Sequence, residues 1–329
     1  MKKYRLQAFV LALASIGITI GIAPAHAQTF PSKPIRVIVA HPAGTPVDLA
    51  VRVVGERLRE ASGQSVIVEN RFGASGGVGA EAVVRAAPDG YTLLATIDTT
   101  VNVAPQIYAK FPVNPARDLT MVAMLGDRSV QVFVVAGDSK VGTLTAFIDE
   151  ARRAPQPIIL AQAEPGTPGH LVGAVFANRA KVNLQFVSFR GPVAAVQEVL
   201  AGRAGASLSP VSTAAPFVQA GKVRALWVTG DQRSEFLPDV PTAAEAGFPE
   251  IETRFNWIAL FAPVGVPEET TAWLNRELNR TMTQPTVRDQ FRKLALIPGT
   301  QSLAQLRELW DADRAYWARV LPPLKIQLD

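Results

Sequence analysis

The sequence predicts an α/β fold with mainly parallel sheets, divided into two lobes. Short β-branched runs alternate with helical patterns between residues 33 and 96, and the same alternation returns between residues 130 and 229. Strands that alternate with helices are typical of parallel sheets with helical crossovers. The C-terminal region is helical and has too few strands for a sheet of its own, so we expect it to complete one of the lobes.

In the first half, strands are predicted at residues 35–40, 65–70 and 91–96. A glycine-bearing turn, residues 41–48, follows the first strand, and a glycine-rich turn, residues 71–79, follows the second. Each turn leads into a predicted helix. Ligands of open α/β sheets bind beyond the carboxyl ends of the strands, where turn amides and helix N-termini offer N–H donors to an anion. The first half therefore predicts a place for a ligand.

The second half repeats the pattern, with predicted strands at 130–135, 158–163, 184–189, 205–208 and 223–229 and helices at 144–153, 170–180 and 193–201. An apolar segment at 256–262 is expected to cross back to the first lobe, and helices follow at 268–283, 286–296 and 303–321. The predicted lobes are residues 28–127 with 252–329, and residues 128–251. At least two crossings join them.

The N-terminus has the three parts of a secretory signal peptide. Basic residues up to Arg5 precede an apolar run to about residue 22, and Ala25-His26-Ala27 forms a small-x-small cleavage site. A retained membrane anchor is the alternative, but about 17 apolar residues is the lower limit for a span. We expect cleavage after Ala27, a mature chain that begins at Gln28, and a location in the periplasm.

Composition excludes several classes of protein. The chain has no cysteine, so it has no disulfide, no thiol nucleophile, no cysteine-bound metal and no lipid-modified N-terminus. Without residues 1–27 it carries 30 basic and 28 acidic residues, a balance that does not indicate nucleic acid binding. No histidine and carboxylate cluster has the spacing of metal ligands. We expect no metal and no cofactor.

Six short motifs occur in a characteristic order: 31–36 (PSKPIR), 69–71 (ENR), 87–92 (APDGYT), 166–170 (GTPGH), 220–225 (AGKVRA) and 237–247 (LPDVPTAAEAG). In this order the sequence resembles the Bug family, the periplasmic solute-binding proteins of tripartite tricarboxylate transporters. The resemblance covers essentially the whole mature chain. It implies a two-lobed, type II periplasmic binding fold of the Venus-flytrap kind. It also implies a monomer without enzymatic activity, which holds a small carboxylate in the cleft with backbone amides and waters and delivers it to membrane permease subunits.

The resemblance places ligand contacts of the first lobe in two loops. The loop at 41–48 contributes Pro42, Ala43, Gly44 and Thr45, a stretch whose backbone would let amides face a carboxylate, and Thr45 replaces the second glycine of the family pattern. Asp48 matches the family acid, although it is also an ordinary first-turn charge that favours the helix dipole.

The loop after the third strand offers Asp98 and Thr99. Asp98 departs from the small residues of the family. It is interpreted either as the partner of a cationic or N–H group of the ligand or as a helix N-cap.

In the second lobe the resemblance indicates the loop that contains Glu164, Gly166 and Thr167, a second unexpected acid beside two family residues. The remaining candidates in this lobe are His170, Arg190, Gly191 and Ser209. His170 is interpreted either as a ligand donor or as a structural residue of the first helical turn. Arg190 either offers a guanidinium fork to a distal carboxylate or is a solvated surface residue. Ser207 and Ser209 occupy a strand end where the family often has an acid.

The two unexpected acids favour a carboxylic acid that also bears a cationic or N–H group, such as an amino acid or a pyridine carboxylate or amide. An ordinary dicarboxylate is the alternative if both acids point away from the cleft. Two other functions remain open. The protein could present its ligand to a signalling receptor, or Ser75, within a G-x-S-x-G match at 73–77, could be a hydrolase nucleophile with His41 or His170 as its base.

Overall fold

The computed structural model describes residues 30–249 and 257–328. The predicted signal peptide and the proposed lobe boundary at residue 252 lie outside the described residues. Within these ranges, no helix combines the length and the apolar character that crossing a membrane requires.

The described residues form eleven strands: β1 (Ile35–Val39), β2 (Val66–Asn70), β3 (Thr92–Ile97), β4 (Leu119–Ser129), β5 (Gln131–Ala136), β6 (Ile158–Gln162), β7 (Leu184–Ser188), β8 (Ala206–Pro210), β9 (Val223–Val228), β10 (Ile258–Pro263) and β11 (Leu296–Pro298). They also form twelve α-helices: α1 (Pro46–Ser62), α2 (Gly77–Val84), α3 (Asp98–Asn102), α4 (Ala104–Ile107), α5 (Pro115–Asp118), α6 (Leu144–Arg153), α7 (Pro168–Ala180), α8 (Pro192–Leu200), α9 (Val211–Gln219), α10 (Glu268–Met282), α11 (Pro285–Lys293) and α12 (Leu303–Val320).

Two separate sheets confirm the two-lobed α/β fold. The first has six strands in the order β11-β4-β10-β3-β1-β2, and the second has five in the order β7-β6-β8-β5-β9. The expectation of mainly parallel strands is corrected, because both sheets are mixed. β1 is parallel to β2 and β3, and β6 is parallel to β7 and β8. β10 and β5 are antiparallel to both of their neighbours.

Both faces of the first sheet are buried, as the continuous apolar strands require. Along β1, Val37 and Val39 belong to the hydrophobic cluster on one face, with α1 and α10 above them. Ile38 belongs to the cluster on the other face, with α2 and α12. The second sheet is enclosed in the same way by its own two clusters. Such layers hold the carboxyl ends of the parallel strands in fixed positions, and the cleft lies at those ends.

The two lobes are joined where β4 passes into β5, with only Val130 between the two strands. β10 lies in the first sheet, as expected for the segment that crosses back. Helix α12 forms a further connection. Trp310 packs in a core of the first lobe and Trp317 in a core of the second. The C-terminal region therefore contacts both lobes, and the exact division of the chain between them stays a prediction.

Candidate functional site

A cavity lies between the two sheets, where β1, β3 and β6 end. It contains about 750 Å³ of space free of protein atoms, including open solvent at its mouth. Ile97 and Ile258 of the first lobe and Leu208 of the second form parts of its mostly apolar wall. Among the described residues that line the cavity there is no lysine or arginine. The donors that these residues offer to an anion are backbone N–H groups and uncharged side chains.

Three helices begin at this cavity. The residues before their first turns are Thr45 for α1, Thr167 for α7 and Gly191 for α8, and all three line the wall. Each helix has proline at its first position, which suits a residue without an N–H group. The side chains of Thr45 and Thr167 do not cap the N–H groups that follow, and Gly191 has no side chain to do so. Three helix N-termini with open donors and positive dipole ends therefore face one cavity, an arrangement that binds anions.

The loop before α1 is held by its own polar groups. Thr45 donates from Oγ1 to the Pro42 carbonyl at 2.8 Å, so its hydroxyl is turned away from the helix amides. The Gly44 N–H donates to the Asp48 carboxylate at 2.9 Å, and Arg52 and Asn70 donate to the same carboxylate. Burial alone would raise the pKa of Asp48, but these hydrogen bonds outweigh it and lower that pKa. Asp48 is therefore a structural anion of the loop.

The loop before α7 repeats this arrangement in the other lobe. Thr167 donates from Oγ1 to the Glu164 carbonyl at 2.6 Å, and the Gly166 N–H donates to Nδ1 of His170 at 2.9 Å. Because Nδ1 accepts a hydrogen bond, it carries no proton. Burial lowers the pKa of His170 to about 4, which favours this neutral form. The structural interpretation of His170 is supported, since it does for its loop what Asp48 does for the first.

The two loops share the tripeptide Gly-Thr-Pro, at Gly44-Thr45-Pro46 and at Gly166-Thr167-Pro168. Both glycines have positive φ, +80° and +76°. In each loop the threonine hydroxyl bonds three residues back, and the residue four after the glycine accepts the glycine N–H. The lobes thus present matched amide-bearing loops to opposite sides of the cavity.

Glu164 is the acid among the described residues of the cavity wall. Burial raises the pKa of its carboxyl group. Among the described residues its carboxylate makes no hydrogen bond or ion pair, while its backbone carbonyl accepts from Thr167. An acid in this position favours a ligand that carries a proton or a positive charge, or else itself stays protonated and donates a hydrogen bond.

His41 and Gln131 also line the cavity and were not predicted as ligand contacts. The Nε2 atom of His41 lies 3.2 Å from Oγ1 of Thr96, and burial lowers the pKa of this histidine to about 4. His41 lies two residues after β1, so its position just beyond a strand of a parallel sheet was a usable signal. Gln131 opens β5, and its approach to the cleft depends on how the two sheets are joined.

The structure brings five of the predicted residues to the cavity wall: Pro42, Thr45, Glu164, Thr167 and Gly191. The others stand behind the wall or away from it: Ala43, Gly44, Asp48, Asp98, Thr99, Gly166, His170, Arg190 and Ser209. Asp98 is fully buried, and it lies in the first turn of α3 rather than at the N-cap, which is Ile97. Arg190 is exposed, in agreement with a solvated surface residue. Ser209 is buried in β8, where its hydroxyl pairs with that of Ser207 at 2.9 Å.

The geometry does not support the hydrolase hypothesis. Ser75 donates its hydroxyl hydrogen to the Pro165 carbonyl, and its oxygen lies 3.0 Å from the Tyr108 hydroxyl. Neither histidine is hydrogen-bonded to it: Nε2 of His41 lies beside Oγ1 of Thr96, and Nδ1 of His170 accepts from the Gly166 N–H. Within the described ranges, no group of three or more histidine, aspartate or glutamate side chains could hold a metal ion.

Sequence comparisons extend along nearly the whole chain. A protein encoded in the tcbD-tcbE intergenic region of Pseudomonas sp. strain P51 is 34% identical over 313 residues, which cover 94% of this chain and 92% of the relative. Protein BugT of Bordetella pertussis is 32% identical over 314 residues, covering 94% of this chain and 96% of BugT. The predicted resemblance to the Bug proteins is confirmed.

Solved structures agree with the fold. A protein of R. palustris with adipate superposes with a TM-score of 0.84 at 27% identity, covering 91% of this chain and 99% of that one. MatC of Rhodopseudomonas palustris with bound malate gives a TM-score of 0.81 at 29% identity, with coverages of 88% and 99%. The periplasmic binding protein BugD shares the fold at a TM-score of 0.82 and 24% identity, covering 91% and 99%. The model of the family described as tripartite tricarboxylate transporter family receptor matches residues 50–324, and with these relatives it shows that the chain belongs to that family.

Proposed function

We propose that the mature chain is a monomeric periplasmic protein that captures a small carboxylic acid between its lobes and delivers it to the permease subunits of a tripartite transporter. The observation that carries this proposal is the convergence of three helix N-termini, none capped by its N-cap side chain, on a cavity whose described lining holds no lysine or arginine. Backbone N–H groups at helix N-termini suit a carboxylate. Family membership supports the transport role.

The proposed ligand class is a carboxylic acid that also bears an ammonium, amide or ring N–H group. The amides at the starts of α1, α7 and α8 take the carboxylate. Glu164, the acid in the wall, takes the donor. Like charges repel strongly in a poorly solvated site, so a second bare carboxylate beside an ionised Glu164 is disfavoured.

A simple dicarboxylate is the second candidate, and one specific observation favours it. The Gly44-Thr45-Pro46 and Gly166-Thr167-Pro168 loops face the cavity from opposite lobes, so each could take one carboxylate. The relatives with adipate and with malate hold ligands of this class. In this case Glu164 would bind in its protonated form, which its raised pKa makes easier.

Titration calorimetry with L-glutamate, nicotinamide, nicotinate, adipate and malate separates the two classes. We expect the wild type to bind a donor-bearing probe, and Glu164→Gln to weaken that binding about tenfold, the loss of one charge-assisted hydrogen bond. Glu150→Gln, a change in α6 away from the cavity, is the control and should leave every affinity unchanged. Exclusive binding of adipate or malate, with affinities unaltered by Glu164→Gln, would show that the proposed ligand class is wrong.

Glu164 should also have a measurable effect on the ligand-free protein. Because burial raises its pKa, the folded state holds more protons than the unfolded state above the ordinary glutamate pKa of about 4.5. Stability is therefore lost as pH rises through that window. We expect Glu164→Gln to melt at a higher temperature than wild type at pH 7 and at the same temperature at pH 4. Equal melting temperatures at both pH values would contradict the buried acid.

A further inference from the structure

The turn between β2 and α2 has an unusual backbone. Four consecutive residues have positive φ: Gly73 at 125°, Ala74 at 48°, Ser75 at 48° and Gly76 at 92°. Glycine adopts such angles freely, but alanine and serine each pay about 1 kcal/mol or more in the left-handed region. Two strained residues in succession persist only where surrounding contacts compensate for them. The contacts of Ser75 are therefore of interest.

Ser75 belongs to the first lobe, but its main hydrogen bond is to the second. Its Oγ donates to the Pro165 carbonyl at 2.5 Å, and Pro165 immediately precedes the Gly166-Thr167 loop at the cavity. The hydrogen of Ser75 is used in this bond, so the Tyr108 hydroxyl, 3.0 Å away, donates to Ser75. The Ser75 side chain is buried between these partners. The chain of hydroxyls thus ends on the backbone of a ligand-facing loop.

The same loop is packed closely against its neighbours, one of which is Ser75 of the first lobe. A Cβ atom on Gly166 would lie 2.8 Å from Cδ1 of Ile107 and 3.4 Å from Oγ of Ser75. Ile107 packs in a hydrophobic cluster with residues of the second lobe, so the close approach to the first lobe is the one between Gly166 and Ser75. Any opening of the cleft that moves this loop away from the first lobe must break the Ser75–Pro165 hydrogen bond.

We propose that Ser75 is a positioning residue. Its hydrogen bond ties the ligand loop of the second lobe to the first lobe and so holds the cleft closed. The strained turn aims the hydroxyl across the cleft, and the bond to Pro165 fixes the loop that carries Gly166 and Thr167. Breaking the Ser75–Pro165 hydrogen bond allows the lobes to separate and a bound molecule to leave. The effect on ligand release rests on the proposed function, whereas the effect on lobe closure does not.

The first test needs no ligand. Because the chain contains no cysteine, Ala61→Cys on α1 and Asn178→Cys on α7, both exposed, give unique spin-label sites, one on each lobe. We expect Ser75→Ala to shift the distance distribution between the labels towards longer, broader values, and Tyr108→Phe to do so in part. Ala74→Gly is the matched control for a glycine at position 75, because it relieves comparable backbone strain and keeps the Ser75 hydroxyl. Ser75→Gly, which relieves the strain and removes the hydroxyl, should behave like Ser75→Ala, so a folding defect of the alanine variant cannot hide the result.

The second test measures release. With L-glutamate or malate as the probe, stopped-flow measurements should show dissociation about 5 to 10 times faster in Ser75→Ala and Ser75→Gly, with association rates nearly unchanged, the effect of one lost hydrogen bond. If the wild type binds neither probe, the proposed function is contradicted. The label distances then test the role of the Ser75–Pro165 hydrogen bond on their own. The proposal about Ser75 would be overturned if the label distances in both Ser75 variants matched those of wild type and of Ala74→Gly.

Discussion

Leucine at position 44 is expected to weaken ligand binding by at least about 100-fold, whereas leucine at position 63 should leave binding intact. Gly44 has a φ of +80° and its N–H bonds to Asp48, so it sets the path of the loop before α1. Space is available for a side chain, because no atom lies within 4 Å of a Cβ built there. The cost comes from the left-handed backbone, about 1–2 kcal/mol for a residue with a Cβ. Relief of that strain by a shifted loop would turn its amides away from the cavity.

Gly63 provides a matched control at the other end of the same helix. Its φ is +70°, and a Cβ built on it also meets no atom within 4 Å. Gly63 is the C-cap of α1. Because α1 is 17 residues long, Gly63 lies about 25 Å from the end of the helix that faces the cavity. Both leucine variants should lose about 1–2 kcal/mol of unfolding free energy in urea, and only Gly44→Leu should lose affinity in calorimetry. Similar affinities in the two variants would mean that the first loop does not hold the ligand.

Much of the fold was accessible from the sequence because local pattern and tertiary structure agree. β6 and helix α6, for example, lie within one residue of the ranges predicted from β-branched runs and helical periodicity. β4, the longest strand, was missed. It contains methionine, alanine and Gly126, which have weak preference for strands, and it is a strand because β10 and β11 pair with it. Helix α9 was missed for a related reason, since Pro216 lies inside it.

The site was predictable as a set of loops but less so as a set of side chains. The ligand loops follow strand ends, and topology places strand ends of a parallel sheet at one edge. Which way a side chain points depends on packing from outside its own segment. Asp48 turns into its loop to meet Gly44 and Arg52, while Glu164 reaches the cavity. One sequence signal was available and unused: Gly-Thr-Pro occurs twice, once before each of two lobe helices.

The unfolding free energy of the mature protein is expected to fall by up to about 6 kcal/mol between pH 6.5 and pH 4. Burial lowers the pKa values of His41 and His170 to about 4, from an ordinary value near 6.5. Between these values the unfolded state binds more protons than the folded state, so stability decreases as pH falls through the window. A shift of this size corresponds to about 3 kcal/mol for each histidine. Glu164, whose raised pKa acts in the opposite direction, offsets part of the loss.

Urea unfolding of wild type, His170→Asn and His41→Gln at half-unit pH steps tests this expectation. The chain has three histidines, and His26 lies in the predicted signal peptide, so two remain to titrate. Asparagine at position 170 keeps an acceptor for the Gly166 N–H and removes the titration, and glutamine at position 41 does the same for the contact with Thr96. Each substitution should remove about half of the pH dependence while leaving the neutral-pH fold in place. A wild-type unfolding free energy that is flat from pH 6.5 to pH 4, or single variants with the full wild-type slope, would show that the two histidines are not held neutral by the loops that face the cavity.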